Sequence, residues 1–179
     1  MTAAERACAE ELIAFIDAAP SPYHAAQSLN PAWERITNDT IERIRPGKTF
    51  YLPLFRTGAV VISVGENPRG LLRMACAHTD FPCLRIKPNP VMCDAGYGRL
   101  NVETYGGLIR NTWLDRPLSI AGAVTLRGAD AFHPALRLVD FRRPLAVIPN
   151  LAIHMNRKVN EGVELKPQKD LLPPLFQSD

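Results

Sequence analysis

Residues 77–85 read AHTDFPCLR, and they follow an apolar run at residues 71–76. In an extended segment the side chains of residues i and i+2 point to the same side, so His78 and Asp80 are expected to share one face. Sites in open α/β sheets lie at strand ends, which is where the apolar run would place this pair. Imidazole nitrogen is a good zinc ligand, and a carboxylate beside it fixes the ring and raises its basicity. The stretch therefore indicates a metal site on an α/β sheet.

Two other interpretations of this stretch stay open on the residues alone. A His-x-Asp triplet is common by chance, and a loop histidine can simply hydrogen-bond to a nearby carboxylate. Alternatively, Cys76, His78 and Cys83 could hold a structural zinc ion, although their spacing matches no common zinc-binding pattern.

Helix signals occupy the first thirty residues. Thr2 and Glu5 have the spacing of a capping box, which predicts a helix that ends near Asp17. The apolar face of this helix comprises Cys8, Leu12, Phe15 and Ile16. Residues 21–22, Ser-Pro, supply an N-cap and a first-turn proline for a second helix, which should stop before Asn30 because a proline follows.

Short apolar runs separated by turn residues predict strands after residue 48. The predicted strands are residues 50–55, 59–64, 71–77, 84–87, 100–105, 119–126 and 136–141. Residues 59–64 and 71–77 are expected to be buried. The prolines in residues 87–90 interrupt the pattern, and Pro149 could open a short helix in residues 148–157. The pattern predicts an α/β first half and a β-rich second half.

Composition excludes several classes of function. A net charge of +3, with scattered basic residues, does not favour nucleic-acid binding, and no apolar run is long enough to span a membrane. The chain has neither a glycine-rich phosphate loop nor the G-x-S-x-G of a serine hydrolase. Four cysteines without a CxxC pair, and no secretory signal, predict free thiols and a cytoplasmic location.

Six ordered blocks resemble the M18 family of metallo-aminopeptidases, the aspartyl aminopeptidase group. The blocks are residues 21–25, 77–88, 102–107, 113–116, 139–145 and 148–157. The resemblance implies part of a zinc-exopeptidase-type mixed sheet with flanking helices in residues 1–92. It also implies an incomplete, β-rich dimerisation domain in residues 93–179.

The resemblance implies an enzyme that removes N-terminal residues, preferentially Asp or Glu, from peptides. Family members use two zinc ions, with other divalent metals possible, a bridging water and a glutamate as general base. His78 matches a zinc ligand, and Asp80 matches the acid that orients it. His154 matches an active-site histidine from the second domain that binds substrate or metal, often in a neighbouring subunit. On the residues alone, the sequence is equally consistent with His154 as a core or interface histidine.

Other residues are expected to have local roles or depart from the family pattern. His24 is expected to pack or cap at the second helix, and His133 to lie in a surface loop. Phe81 replaces a usual serine and adds bulk beside the site. Pro117 replaces a usual acid and removes a backbone donor, which leaves the local geometry open.

The further acids and the last histidine of the family's site have no counterpart in these 179 residues. We therefore expect a truncated product, a split gene or a fragment that is inactive alone. The alternative is a non-catalytic module that pairs with a full-length homologue, since the family forms homo-oligomers.

Overall fold

The computed structural model describes residues 1–37, 41–67, 72–130 and 132–177. The helices within these ranges are α1 (Ala3–Ala18), α2 (Pro22–Gln27) and α3 (Pro167–Asp170). The strands are β1 (Glu34–Arg35), β2 (Thr49–Leu54), β3 (Gly58–Ser63), β4 (Cys83–Asp94), β5 (Tyr97–Tyr105), β6 (Ala121–Leu126), β7 (Ala135–Asp140) and β8 (Pro174–Gln177). Short 3-10 helices span Ile41–Arg43, Arg110–Trp113 and Val159–Glu161. None of the described helices is both long and apolar enough to cross a membrane.

The chain divides into two compact units. The first comprises Met1–Asp80 and Ala121–Asp140, and the second comprises Phe81–Ile120 and Phe141–Asp179. The boundaries of these units differ from the predicted domain boundary after residue 92. β4 lies wholly in the second unit, and β6 contacts α2 in the first. Domains at 1–92 and 93–179 stay a prediction.

Both N-terminal helices form as their caps predict. The Thr2 hydroxyl accepts a hydrogen bond from the Glu5 backbone N–H, and the Glu5 side chain accepts one from the Thr2 N–H. In α2 the Ser21 side chain accepts from the backbone N–H of His24, and Pro22 occupies the first turn. The apolar face of α1 forms but stays uncovered, because no residue of that helix is buried.

The first unit contains a mixed three-stranded sheet, which confirms the predicted α/β class. β1 pairs parallel with β2, and β3 pairs antiparallel with β2. Phe50 on β2 is 1% exposed and Ile36 is buried. Helix α2 contacts β3, and its Ala25 is buried. β6 and β7 form a separate antiparallel pair in this unit.

The expected buried strand at residues 71–77 does not form. Leu71 lies outside the described residues, and residues 72–77 have no regular secondary structure. Leu72 is 84% exposed and Met74 is 78% exposed. A strand needs a partner to satisfy its backbone N–H and C=O groups, and these residues have none within the described chain. An apolar sequence alone is therefore not enough to form a strand at residues 72–77.

The expected burial of residues 59–64 is also wrong. β3 is an edge strand, and Val60, Val61 and Ile62 are all exposed. Neighbouring residues of a strand point to opposite faces, so both faces of β3 are partly open.

The second unit is built on a long antiparallel ribbon of β4 and β5. Ala95 and Gly96, which connect the two strands, both have positive φ, as a type I′ hairpin turn requires. β8 pairs with the other edge of β5. Leu100, Val102 and Leu172 form the buried cluster of this unit.

The prolines of residues 87–90 do not end β4, contrary to prediction. The register shifts between Ile86 and Val91, so residues 87–90 form an irregularity opposite Asn101. The Asn101 side-chain amide donates to the carbonyl of Asn89 across this gap, at 3.0 Å. β4 lies at the sheet edge, where proline costs no ladder hydrogen bond.

Candidate functional site

His78 and Asp80 form the side-chain pair that the sequence predicts. His78 Nδ1 lies 2.9 Å from Asp80 Oδ1. The His78 side chain is 90% exposed, whereas the Asp80 side chain is 27% exposed. When Nδ1 carries the ring proton it donates to the carboxylate, and Nε2 keeps its lone pair toward solvent. This is the arrangement of a metal-ligating histidine oriented by an acid.

The residue between them ties the pair to the β2–β3 hairpin. The Thr79 hydroxyl donates a hydrogen bond of 2.6 Å to the backbone carbonyl of Thr57. Thr57 is the last residue of the three-residue turn between β2 and β3, in which Phe55 and Arg56 both have positive φ. Sequence reasoning missed this contact, since it joins residues 22 positions apart and has no local signal.

The pair fits one zinc ligand and its support, but not a complete site. Zinc sites use three or four protein ligands. Across residues 1–37, 41–67, 72–130 and 132–177, no three His, Cys, Asp or Glu side chains are placed to hold a metal ion. Cys76 and His78 lie in the first unit and Cys83 lies in the second, so a structural zinc site made of these three residues stays an untested alternative.

His154 lies in the second unit, in an exposed turn rather than a helix. The turn is closed by the backbone N–H groups of Met155 and Asn156, which both donate to the carbonyl of Ala152. His154 is exposed in this chain, unlike a core histidine, and its role as an interface, metal-binding or substrate-binding residue stays a prediction.

Asp115 joins two of the sequence blocks within the second unit. Its carboxylate accepts a hydrogen bond from the Asn150 backbone N–H at 2.9 Å, and its own N–H donates to the Ile148 carbonyl at 2.8 Å. Leu118 donates to the Ala146 carbonyl at 2.8 Å. Pro117 lies between these backbone donors, so its missing N–H removes neither bond.

The two remaining histidines have the local roles expected of them. His24 Nδ1 lies 2.7 Å from the Ser21 hydroxyl at the start of α2. His133 lies in the exposed loop between β6 and β7, with Nδ1 at 2.8 Å and 2.9 Å from the two carboxylate oxygens of Asp130. This hydrogen bond, with another from the Phe132 backbone N–H, lowers the pKa of Asp130 below its ordinary value.

Comparison with known proteins defines the class as a zinc metalloprotease. A family model described as "Aminopeptidase I zinc metalloprotease (M18)" matches residues 15–177. The chain is 41% identical over 175 residues to the probable M18 family aminopeptidase 2 of Clostridium novyi (strain NT). It is 42% identical over 173 residues to that of Pseudomonas entomophila (strain L48). The chain belongs to the M18 family of metallo-aminopeptidases.

The match covers nearly all of this chain but less than half of each relative. In both cases it includes 93% of this chain and 40% of the relative. The chain thus spans about two-fifths of the length of the curated relatives it matches.

Solved structures confirm the fold. The cryo-EM structure of the Ape4 and Nbr1 complex matches with a TM-score of 0.88 and 31% identity, over 100% of this chain and 36% of that one. The M18 aminopeptidase of Thermotoga maritima matches with a TM-score of 0.76 and 20% identity, over 98% and 40% of the two chains. At 20% identity the second likeness shows the fold alone.

Proposed function

We propose that this chain contributes part of the active site of a zinc aminopeptidase. The enzyme would remove N-terminal residues, preferentially acidic ones, from peptides. The observation that supports this is the His78–Asp80 pair. Nδ1 of His78 lies 2.9 Å from the Asp80 carboxylate, and the His78 side chain is exposed to solvent. Membership of the family supports both the metal and the reaction class.

His78 would provide one imidazole nitrogen to zinc. Asp80 would hold the ring in the tautomer that leaves Nε2 free, and Thr79 would keep the segment against the hairpin through Thr57. A bound zinc ion supplies Lewis-acid polarisation of a carbonyl and an acidic water. Two zinc ions per site, with His154 as a ligand or a substrate-binding residue, are part of the proposal.

The chain on its own is proposed to lack peptidase activity. A single histidine and its supporting acid leave a zinc ion short of the three or four protein ligands it normally takes. The remaining ligands would come from the portion of the relatives that lies outside the match.

A single-chain hybrid tests the role of the pair. In this hybrid the 179 residues replace the matching two-fifths of the Pseudomonas entomophila relative. Zinc-dependent release of Asp from an aspartyl arylamide is measured, with a leucyl arylamide for comparison. His78→Ala is expected to reduce activity to background, and Asp80→Asn to lower kcat/KM by about 10–100-fold.

His133→Ala is the matched control, because His133 makes the same type of contact with Asp130 at 2.8 Å. It is expected to retain full activity. Equal activity of the His78→Ala and His133→Ala hybrids would show that His78 is not a ligand. Faster release of Leu than of Asp would contradict the preference for acidic residues, but it would not bear on the role of His78.

A second candidate function is an assembly module that pairs with a full-length homologue. The uncovered apolar residues of α1, β3 and residues 72–77 favour this reading. Mixing the chain with the full-length Clostridium novyi relative tests it by co-purification. A monomer that stays separate in size-exclusion chromatography would count against it.

Homo-oligomer formation and a cytoplasmic location complete the proposal. The first rests on the resemblance to the family, and the second on the four free cysteines. Light scattering would measure the mass of the hybrid in solution, and the mass of a single subunit would contradict homo-oligomer formation.

A further inference from the structure

A half-open cleft of about 580 Å³ lies within the first unit, and it takes no part in the proposed metal site. Three aromatic rings line it, each from a different segment: Tyr23 from α2, Trp33 from the turn before β1, and Tyr51 from β2. Leu136 and Leu138 of β7 add an apolar surface. The volume is in the range of pockets that hold small organic ligands.

The strand register places two of the lining residues, Arg35 and Tyr51, side by side. Arg35 of β1 pairs with Tyr51 of β2, and the Ile36 backbone N–H donates to the Tyr51 carbonyl at 2.8 Å. Phe50, the neighbour of Tyr51, is buried on the opposite face of β2. The same strand pairing that supports the core therefore places Tyr51 and Arg35 at the cleft.

The charges around the cleft select the kind of ligand. Arg35 and Arg56 both line it, and none of the lining residues described is acidic. Two arginines repel a cation placed over the aromatic rings, so this composition favours an anionic ligand over a cationic one. Arg56 has no hydrogen bond or ion pair within the described ranges of the chain, and it lies at the hairpin turn with φ of 64°.

We propose that this cleft binds a small aromatic carboxylate. The planar ring would stack on Tyr23, Trp33 and Tyr51, and the carboxylate would form a bidentate pair with the Arg56 guanidinium. Arginine suits a carboxylate in this position because its planar fork matches two oxygens at once.

The test is a two-dimensional NMR titration of the 179-residue chain with 3-phenylpropanoate. The indole N–H of Trp33 should shift in a saturable manner, while that of Trp113, which lies outside the cleft, should not. The neutral 3-phenylpropanamide should bind about tenfold more weakly, because it loses the charged hydrogen bonds. Inorganic phosphate should not saturate the Trp33 shift.

Arg56→Gln should weaken binding of the carboxylate by about tenfold and leave binding of the amide unchanged. Arg137→Gln is the matched control, because Arg137 lies between Leu136 and Leu138 and points to the other face of β7. If Arg56→Gln does not fold, Tyr23→Leu replaces it and should also weaken binding. Affinity should be unchanged in Arg137→Gln. The proposal would be overturned by no saturable shift of Trp33, equal affinity for carboxylate and amide, saturation by phosphate, or unchanged carboxylate affinity in Arg56→Gln or its substitute Tyr23→Leu.

Discussion

His78 and His133 each place Nδ1 close to a carboxylate, at 2.9 Å from Asp80 and 2.8 Å from Asp130. The contact itself therefore does not distinguish a candidate ligand from a loop histidine. What differs is the surrounding sequence, since only His78 lies in a stretch that resembles the family's zinc-binding block. The His78–Asp80 contact was predictable because it is local, two residues apart.

The pKa of Asp130 should rise toward its ordinary value in His133→Ala, because the largest cause of its lowering is the His133 hydrogen bond. A lowered carboxyl pKa in the folded state adds stability that is present above the unfolded pKa and is lost as pH falls through the folded one. The Asp130 side chain is exposed, so solvent screening keeps this contribution to stability small. Carbon-13 NMR titration of the Asp130 carboxyl measures its pKa, and identical titration curves would contradict the expected rise.

Gly98→Ala should destabilise the second unit by about 0.2–1 kcal/mol, the size of one cross-strand pair, because the Phe176 ring that must move is half exposed. An added Cβ would lie 2.4–2.6 Å from the Phe176 ring, so the ring must leave its place on β5. Gly107→Ala is the control, because nothing lies within 4 Å of its added Cβ. Denaturant unfolding gives both free energies. Equal stability of the two variants would mean that the Phe176 ring moves at no cost.

At the level of elements, predictions from local chemistry were confirmed, and the errors concern features that depend on distant partners. The caps at Thr2 and Ser21 act within one turn, and both helices begin as predicted. Residues 72–77 have a suitable apolar sequence, but no strand lies beside them within the described chain. The prolines of β4 were misjudged for a similar reason, since an edge position is a property of the sheet.

The double variant Leu72→Lys with Met74→Lys should reduce self-association of the chain. Both side chains are largely exposed, so their replacement removes apolar surface from water without opening a cavity. The free energy of unfolding should change by no more than about 0.5 kcal/mol. Analytical ultracentrifugation and denaturant unfolding measure the two effects.

Phe50→Ala provides the contrasting control, because Phe50 is buried and its truncation should cost about 3–5 kcal/mol. Unfolding caused by the double lysine variant would contradict the account, since it would mean that residues 72–77 are packed in the free chain.

For the whole molecule, the family and fold class were predictable because six sequence blocks are specific and in order. The two compact units were not, since each combines segments that are far apart in the chain. The unit that carries His78 also contains residues 121–140, and no local signal links them to the first eighty residues. The chain spans about two-fifths of the length of its curated relatives.

The central claim is that this chain supplies part of a zinc site and not a whole one. The most direct measurement is release of Asp from an aspartyl arylamide by the purified 179-residue chain, with zinc added and then removed by a chelator. We predict no release above the blank under either condition. Zinc-dependent release that is lost in His78→Ala, with contaminating peptidases excluded, would contradict this account.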